Sequence, residues 1–346
     1  MSPRAAEAAI EVPHPRETFD LFGHREAETA LLNAYRSGRI PHAWLIGGPQ
    51  GIGKATLAYR MARFVLSHRD PQAAVVQRAE TMWVDPNDNV ARQVAAEAHG
   101  GLLTLERSLN DKGVLRTVIT VDETRETISF FGSTAAVEGW RVCIVDTVDE
   151  LNPNAANALL KILEEPPQQS LFLLISHAPA RVLPTIQSRC RKLPLRPLAA
   201  DDVIRAAALA TGRATTDPAL AEATAASEGS VAHAITLLGG DALKLHQRTA
   251  ALLATLPSVD PRELHALGDA LGTSDRVALA AFIDGVDRWI TDRLHVGDAN
   301  ANLPRLARLA EVWEKVARAA RDTESYNLER KPLVFSVFAM LAEAMR

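Results

Sequence analysis

One stretch of this chain has the form of a phosphate-binding loop: Gly48-Pro49-Gln50-Gly51-Ile52-Gly53-Lys54-Ala55-Thr56. In such loops, backbone N–H groups exposed by glycines cradle phosphates at the N-terminus of a helix, and the lysine supplies a positive charge. The residue after the lysine ordinarily carries a hydroxyl that ligates Mg²⁺, and here it is Ala55, whose methyl group cannot bind a metal. The loop therefore predicts a nucleotide-binding type of fold from which one part of the chemistry is missing.

The sequence around the loop, from residue 18 to about residue 195, alternates short apolar runs with helical periods. This pattern is typical of a parallel sheet covered by helices. The predicted strands are residues 43–46, 118–121, 142–145 and 171–175, and a helix is predicted over residues 154–163, where Pro166-Pro167 ends it. Residues 84–113 are interpreted as an irregular surface excursion. The core is therefore predicted to be α/β.

The composition of the sequence changes after Pro197, where it becomes rich in Ala and Leu and shows no strand pattern. Asp201 is the predicted N-cap of the first helix there. The predicted domains are a flexible N-terminus over residues 1–17, a P-loop domain over 18–195, a small helical lid over 196–242 and an all-helical domain over 243–346. A stripe of apolar residues over 306–320 is interpreted as core or subunit contact.

The composition limits the classes of function that the chain can serve. It has 346 residues, a net charge of −4 and two cysteines, Cys143 and Cys190, which are far apart. An acidic balance argues against a protein whose whole surface binds nucleic acid, so that protein partners are favoured. The absence of an apolar run of about 20 residues or a signal peptide predicts a cytoplasmic protein without a membrane span.

A second nucleotide-binding element is predicted at the end of an apolar strand. Residues 142–145 are followed by Asp146, as in the acid-terminated strand that accompanies a P-loop. The next position, which in hydrolysing proteins is a glutamate, is Thr147. Asp149-Glu150 lies beyond the strand end and is expected to face solvent or a neighbour.

An alternative interpretation stays open for the P-loop. The stretch from Gly48 to Thr56 can also be a Gly-rich turn that only joins a strand to a helix.

Several motifs resemble the clamp-loader branch of the AAA+ ATPases, which serves bacterial DNA polymerase III. The residues that carry this resemblance are Pro41-His42-Ala43-Trp44-Leu45, Leu151-Asn152, Asn157-Ala158-Leu159-Leu160-Lys161-Ile162-Leu163-Glu164-Glu165-Pro166-Pro167 and Leu183-Pro184-Thr185-Ile186-Gln187-Ser188-Arg189-Cys190. The resemblance covers residues 22–195. It implies an AAA+ P-loop core with a parallel sheet, followed by a helical lid and a helical collar.

The resemblance also implies roles for individual residues. Arg189 is expected to be an arginine finger that reaches in trans into the ATP site of a neighbouring subunit, because a guanidinium offers a planar fork of donors to phosphoryl oxygens. The alternative is a surface arginine at a strand end. The arginine that senses γ-phosphate in hydrolysing relatives is replaced by Ala232, after Gly229-Ser230. Residues 65–118 lack cysteine, so the zinc module of some relatives is not expected.

These observations favour a non-catalytic clamp-loader subunit. The implied partners are gamma/tau and delta subunits in a hetero-pentamer, with the sliding clamp and primed DNA reached through the complex. The predicted nucleotide-site residues are Gly48, Gly51, Gly53, Lys54, Thr56 and Asp146, without a metal ligand. Two alternatives stay open: an active motor ATPase of gamma/tau type, which Ala55, Thr147 and Ala232 oppose, and ATP or ADP held without hydrolysis.

Overall fold

The computed structural model describes residues 12–108, 116, 118–132, 139–239, 241–272, 276–295, 303–326 and 328–345. The chain divides into two compact units, Val12–Ala232 and His233–Arg346. The first unit contains the sheet and the P-loop, and the second is helical in its described residues. The finer division into N-terminus, P-loop domain, lid and collar stays a prediction.

A five-stranded parallel sheet forms the centre of the first unit. Its strands run in the order β2-β3-β4-β1-β5. Their bounds are β1 (Ala43–Gly47), β2 (Leu102–Glu106), β3 (Arg141–Asp146), β4 (Ser170–Ser176) and β5 (Arg191–Pro194). The predicted strands at residues 43–46, 142–145 and 171–175 are confirmed as β1, β3 and β4. Because the sheet is parallel, the loops that follow the strands gather at one edge.

Each central strand sends alternate side chains to opposite faces of the sheet, as strand geometry requires. In β1, Trp44 and Ile46 join the apolar cluster that contains the P-loop helix, whereas Ala43 and Leu45 join the cluster on the other face. The strands are apolar on both faces because helices cover both. This arrangement confirms the predicted α/β class with a P-loop and a parallel sheet.

Ten helices begin in the described part of the first unit. They are α1 (Arg25–Arg36), α2 (Lys54–Ser67), α3 (Ala74–Arg78), α4 (Asn89–Ala95), α5 (Val121–Gly132), α6 (Pro153–Glu164), α7 (Pro184–Gln187), α8 (Ala200–Thr211), α9 (Pro218–Ala226) and α10 (Val231–Leu237). The predicted helix at residues 154–163 is confirmed as α6. It begins at Pro153 because the side chain of Asn152 accepts the N–H of Ala155 at 2.8 Å, which caps the helix.

Three local predictions were wrong. Residues 84–113 are not an irregular excursion, because they include α4 and the edge strand β2. The predicted strand at 118–121 is reduced to a single bridge between Ile119 and Leu151, since α5 begins at Val121. The N-cap of α8 is Ala199, without a side-chain cap, and Asp201 lies in the first turn, where a carboxylate favours the positive end of the helix dipole.

The back of the P-loop helix is fixed by two arginines. Arg60 of α2 donates its Nε to Glu28 Oε1 at 2.6 Å, and both side chains are almost fully buried. Arg63, one turn further on, donates to the carbonyl oxygens of Arg16 and Thr18 at 2.8 and 2.7 Å. Removing one partner of a buried ion pair is strongly destabilising, so these contacts hold α2 firmly behind the loop.

The second unit is built from helices in its described residues. They are α11 (Ala242–Ala254), α12 (Pro261–Gly272), α13 (Arg276–His295), α14 (Leu303–Ser325) and α15 (Arg330–Ala344). From the predicted apolar stripe, Leu309, Val312 and Val316 are buried in the core of this unit. Trp313 is instead exposed and donates its Nε1 to Asp287 Oδ1 at 3.1 Å. One side of the predicted stripe therefore lies in the core of this unit, and the side that carries Trp313 is exposed.

Candidate nucleotide site and surface arginine

The P-loop connects the end of β1 to the start of α2. Gly53 is the N-cap of α2 with φ +94°, and Gly51 has φ +76°, so both occupy backbone conformations that favour glycine. A Cβ atom at Gly53 would meet nothing within 4 Å. Open space therefore lies over the loop at the N-terminus of the helix, where a phosphate would sit.

The backbone carbonyl groups of the loop all have donors within the protein. Lys54 Nζ donates to the carbonyl oxygens of Gly48, at 2.7 Å, and of Pro49. Ser230 Oγ donates to Gln50 O at 3.0 Å, and the Ala232 N–H donates to Gly51 O at 3.2 Å. His24 Nε2 donates to Ile52 O at 2.7 Å. Within the described residues, the N–H groups of residues 50–53 have no protein acceptor. The loop thus presents donors in the manner of an anion-binding nest.

The side chain of Lys54 is turned back onto its own loop. It is 3% exposed, and its two acceptors are loop carbonyls. Burial lowers the pKa of Lys54 to about 8, although the negative charges of Asp146 and Asp149 act in the opposite direction. The lysine therefore has reduced proton affinity while it bridges the two carbonyl groups.

Asp146 ends β3 beside the P-loop, as the sequence predicted for the second nucleotide-binding element. Burial raises the pKa of Asp146 to about 6, and the charge of Glu106 raises it further, while Lys54 lowers it. Thr147 follows, 4% exposed, and its Oγ1 has no hydrogen-bond partner among the described residues. A threonine hydroxyl cannot serve as the carboxylate that activates water.

Asp149 is more tightly engaged than the sequence indicated. Its carboxylate accepts the Ser176 Oγ at 2.8 Å and the backbone N–H of His177 at 2.5 Å, which ties it to the end of β4. Burial lowers the pKa of His177 to about 4, and the charge of Lys54 lowers it further. Asp149 is therefore a structural acceptor at this edge of the sheet, and Glu150 pairs with Arg107 at 2.9 Å.

The start of α10 and the residue before it lie directly on the P-loop. Besides the two hydrogen bonds from Ser230 and Ala232, a Cβ atom at Gly51 would come within 2.4 Å of Ser230 Oγ and 2.7 Å of Ala232 Cβ. Ala232 occupies the position where the resemblance places a sensing arginine. A short side chain there permits this close contact, and a methyl group supplies no charge to a phosphate.

Arg189 lies at the other end of the sheet from the P-loop. It precedes β5, in which Arg191 is the register partner of Trp44, and Pro194 is the partner of Gly47. Because a strand rises about 3.3 Å per residue, Arg191 lies about 10 Å from the level of Gly47, where β1 ends and the P-loop begins, measured along the strands. The guanidinium of Arg189 binds Glu164, the last residue of α6, and not a group of the P-loop.

Neighbouring residues explain how this arginine is held. Cys190 is half-buried against the apolar cluster under α6, and Ile186 is 1% exposed in the same cluster. Gln187 donates its Nε2 to the carbonyl oxygens of Pro179 and Val182 at 3.0 and 2.8 Å. These anchors fix the turn on both sides of Arg189, whose own side chain is 33% exposed.

The sequence predicted most of the loop residues and missed the groups that fix them. Gly48, Gly51, Gly53, Lys54 and Asp146 come together at one edge of the sheet, and Thr56 lies in the first turn of α2. His24 and Glu164 were not predicted. No local signal marks His24, whereas Glu164 belongs to the motif Leu163-Glu164-Glu165-Pro166-Pro167, which indicates the resemblance but no role for this carboxylate.

The described residues contain neither a metal-binding cluster nor a helix suited to span a membrane. Among them, no three or more His, Cys, Asp or Glu side chains are grouped so as to hold a metal ion. In that same part of the chain, each helix is too short or too polar to cross a membrane.

Comparison with known proteins assigns the first unit to a protein family. A family model described as DNA polymerase III, delta subunit, matches residues 23–199. The chain is 38% identical over 149 residues to DNA polymerase III subunit delta' of Pseudomonas aeruginosa, covering 43% of this chain and 41% of that protein. It is 32% identical over 186 residues to DNA polymerase III subunit gamma/tau of Mycobacterium tuberculosis, covering 53% of this chain and 29% of that protein.

Among solved structures, the RuvB Holliday junction branch migration motor of Thermotoga maritima aligns over 93% of this chain and 91% of that chain. The two share 16% sequence identity, with a TM-score of 0.46. The matched regions span less than half the length of the two curated relatives. The family match and the relatives confirm the predicted resemblance to subunits of DNA polymerase III.

Proposed function

We propose, since this chain belongs to the DNA polymerase III delta-subunit family, that it is a non-catalytic, delta-prime-type subunit of a clamp loader. In this role it supplies Arg189 in trans to the ATP site of a neighbouring subunit. The similarity to the delta' protein of Pseudomonas aeruginosa supports the delta-prime type. The chain itself hydrolyses no ATP.

The observation that carries this proposal is the position of Arg189. It lies at the amino end of the sheet, where its guanidinium binds Glu164, and its own P-loop follows the carboxyl end of β1. An arginine in that place cannot reach a nucleotide in its own P-loop, whereas it is exposed enough to meet a second protein. Arginine fingers of this kind raise phosphoryl transfer by about 10³ to 10⁵.

The chain's own loop fits a phosphate group but not hydrolysis. The N–H groups of residues 50–53 and the open space at Gly53 suit an anion. Ala55, Thr147 and Ala232 remove the metal ligand, the water-activating carboxylate and the sensing arginine. ATP or ADP, if bound, would be held by the loop amides with Lys54 as the charge, and it would remain intact.

The partners follow from the proposed role. We expect gamma/tau and delta subunits to assemble with this chain in a hetero-pentamer in the cytoplasm. The second unit is proposed as the collar that joins them, because helical apolar faces are suited to subunit contact. The complex would load the sliding clamp on primed DNA during replication, and this chain's acidic balance favours contact with DNA through the other subunits.

The test is reconstitution with gamma/tau and delta subunits, followed by measurement of DNA-stimulated ATP turnover and clamp loading. The isolated chain should show no turnover above background. Arg189→Ala should assemble normally and slow both activities. Normal turnover in a ring that contains Arg189→Ala would contradict the proposal.

The second candidate is an active motor ATPase of gamma/tau type. The 32% identity to a gamma/tau protein favours it, as do Lys54 and Asp146. Loss of the metal-ligating hydroxyl and the water-activating carboxylate opposes it, because each factor of ten in rate corresponds to about 1.4 kcal/mol of barrier. Steady hydrolysis by the purified chain, abolished by Lys54→Ala, would establish this candidate.

Nucleotide binding without turnover needs a separate measurement. Equilibrium titration with ATP and ADP, with and without Mg²⁺, should give an affinity that depends little on the metal, since Ala55 offers no ligand. A strong increase in affinity with Mg²⁺ would show that another residue replaces the missing hydroxyl.

A further inference from the structure

We propose that Glu164 is the residue that positions Arg189 for its action on the neighbouring subunit's nucleotide. This inference rests on the proposed function. Glu164 Oε1 accepts the Nη2 of Arg189 at 2.6 Å. The Nη1 of the same guanidinium donates to the carbonyl oxygen of Thr185 at 2.9 Å. The two contacts fix the plane of the guanidinium from two sides.

The carboxylate of Glu164 stands on a rigid support. It is the last residue of α6, whose apolar face is buried under the sheet through Leu159 and Leu163. The carbonyl oxygen of Leu163 also interacts with His42 Nε2 at 3.2 Å, which ties the end of this helix to the start of β1. Arg189 is anchored independently by α7, so two fixed elements define where the guanidinium lies.

The contacts leave part of the guanidinium available. Within the described residues, the Nε of Arg189 has no protein partner, and Nη2 makes one protein contact, to Glu164. An arginine side chain that is free to rotate loses rotamer entropy when it is fixed. A guanidinium that is already oriented avoids most of this loss when it meets a phosphoryl group.

The pair contributes little to the stability of the fold. The side chains of Arg189 and Glu164 are 33% and 50% exposed, and exposed ion pairs contribute little to the stability of a fold. Removal of Glu164 should therefore leave the subunit folded and able to assemble. A change in activity would then report on the orientation of the arginine.

The chain provides a matched control at the next position. Glu165 carries the same charge, is exposed, and stands at the C-cap of α6. No described residue forms an ion pair with it. Glu165→Ala removes one negative charge from the same surface and leaves the Arg189 contact in place.

The experiment uses the reconstituted clamp-loader ring and measures DNA-stimulated ATP turnover. We expect Glu164→Ala to lower kcat about tenfold with little change in KM, because misorientation affects the transition state more than nucleotide binding. Glu164→Asp should recover part of the loss, and Glu165→Ala should match the wild type. In an Arg189→Ala ring, the further change Glu164→Ala should have no effect.

The outcomes separate this inference from the proposed function. If Arg189→Ala slows turnover while Glu164→Ala does not, the arginine acts in trans without help from Glu164, and the inference is wrong. Faster turnover with Glu164→Ala would also overturn it, because Glu164 would then restrain the arginine. If Arg189→Ala has no effect, the proposed function itself fails.

Discussion

The two ends of the parallel sheet differ in how the chain treats its polar groups. At the carboxyl end, Lys54 binds its own loop carbonyls, and Ser230 covers the loop from one side. At the amino end, Arg189 is partly exposed and held in a fixed orientation by Glu164. At the carboxyl end, the charged group of Lys54 is buried within its own loop, whereas at the amino end the charged group of Arg189 stays partly accessible at the surface.

Under the proposed function, this difference explains how a P-loop fold can lack hydrolysis at its own site and still act on a neighbouring site. Hydrolysis needs a metal ligand, an activated water and a sensing charge at the same point, so the losses at Ala55, Thr147 and Ala232 act together. A trans-acting arginine needs only its own position. Because the two groups lie at opposite ends of the sheet, a substitution in the P-loop does not remove the arginine.

The largest expected effect is a contrast between two variants in the reconstituted ring. Arg189→Ala should lower single-turnover hydrolysis at the adjacent ATP site by about 10³-fold, because the transition state loses its guanidinium. Lys54→Ala should change that rate by less than about twofold, since Lys54 contacts only its own loop. The opposite ranking would show that this chain's own loop participates in turnover.

A smaller effect is expected from two glycines of the loop. Gly51→Ala should lower the free energy of unfolding by about 2–4 kcal/mol, because it combines strain at positive φ with a clash against Ser230 and Ala232. Gly53→Ala, where the added methyl meets nothing, should cost about 1–2 kcal/mol. Urea unfolding measures both, and equal losses would show that Ser230 and the start of α10 move away easily.

Asp146→Asn should change the pH dependence of stability. The pKa of Asp146 is raised by burial to about 6, above the value of about 3.9 in an unfolded chain. The protonated form therefore stabilises the fold at low pH, and this contribution is lost as the pH rises from about 4 to 6. The variant should be about 1–2 kcal/mol more stable than wild type at pH 7.5, with a smaller difference at pH 5.

Denaturant titrations of both proteins at pH 5 and 7.5 provide the measurement. Burial lowers the pKa of His177, so protonation of this side chain reduces the stability of both proteins as the pH falls. Because the effect is the same in both, it cancels in the difference between them. An Asp146→Asn variant that is less stable than wild type at pH 7.5 would indicate that the charged carboxylate supports the loop.

The smallest expected effect concerns Ser230→Ala. Loss of the hydrogen bond to Gln50 should cost about 0.5–1 kcal/mol, and hydrogen exchange should accelerate at the Ala232 amide, which donates to the neighbouring carbonyl oxygen of Gly51. Ser37→Ala removes a similar bond, from Ser37 Oγ to the carbonyl oxygen of Ala34, far along the chain from the loop. Acceleration at the Ala232 amide by both variants would mean that Ser230 has no local effect.

Motifs with a fixed local spacing were predictable. The P-loop, the acid after β3 and the missing groups at Ala55 and Thr147 could be named because each depends on residues a few positions apart. The strand β2 was missed because the pattern in residues 84–113 is weak. An edge strand with one partner is specified more by its pairing with β3 than by its own sequence.

The sequence by itself determined the fold class and the chemical groups that the site contains or lacks. The tertiary structure alone decided how those groups are used. His24 and Ser230 fix the loop from 28 and 180 residues away in the chain, and Glu164 meets Arg189 across 25. Such contacts depend on the order of the strands and the packing of helices on the sheet, and no local pattern of residues encodes either.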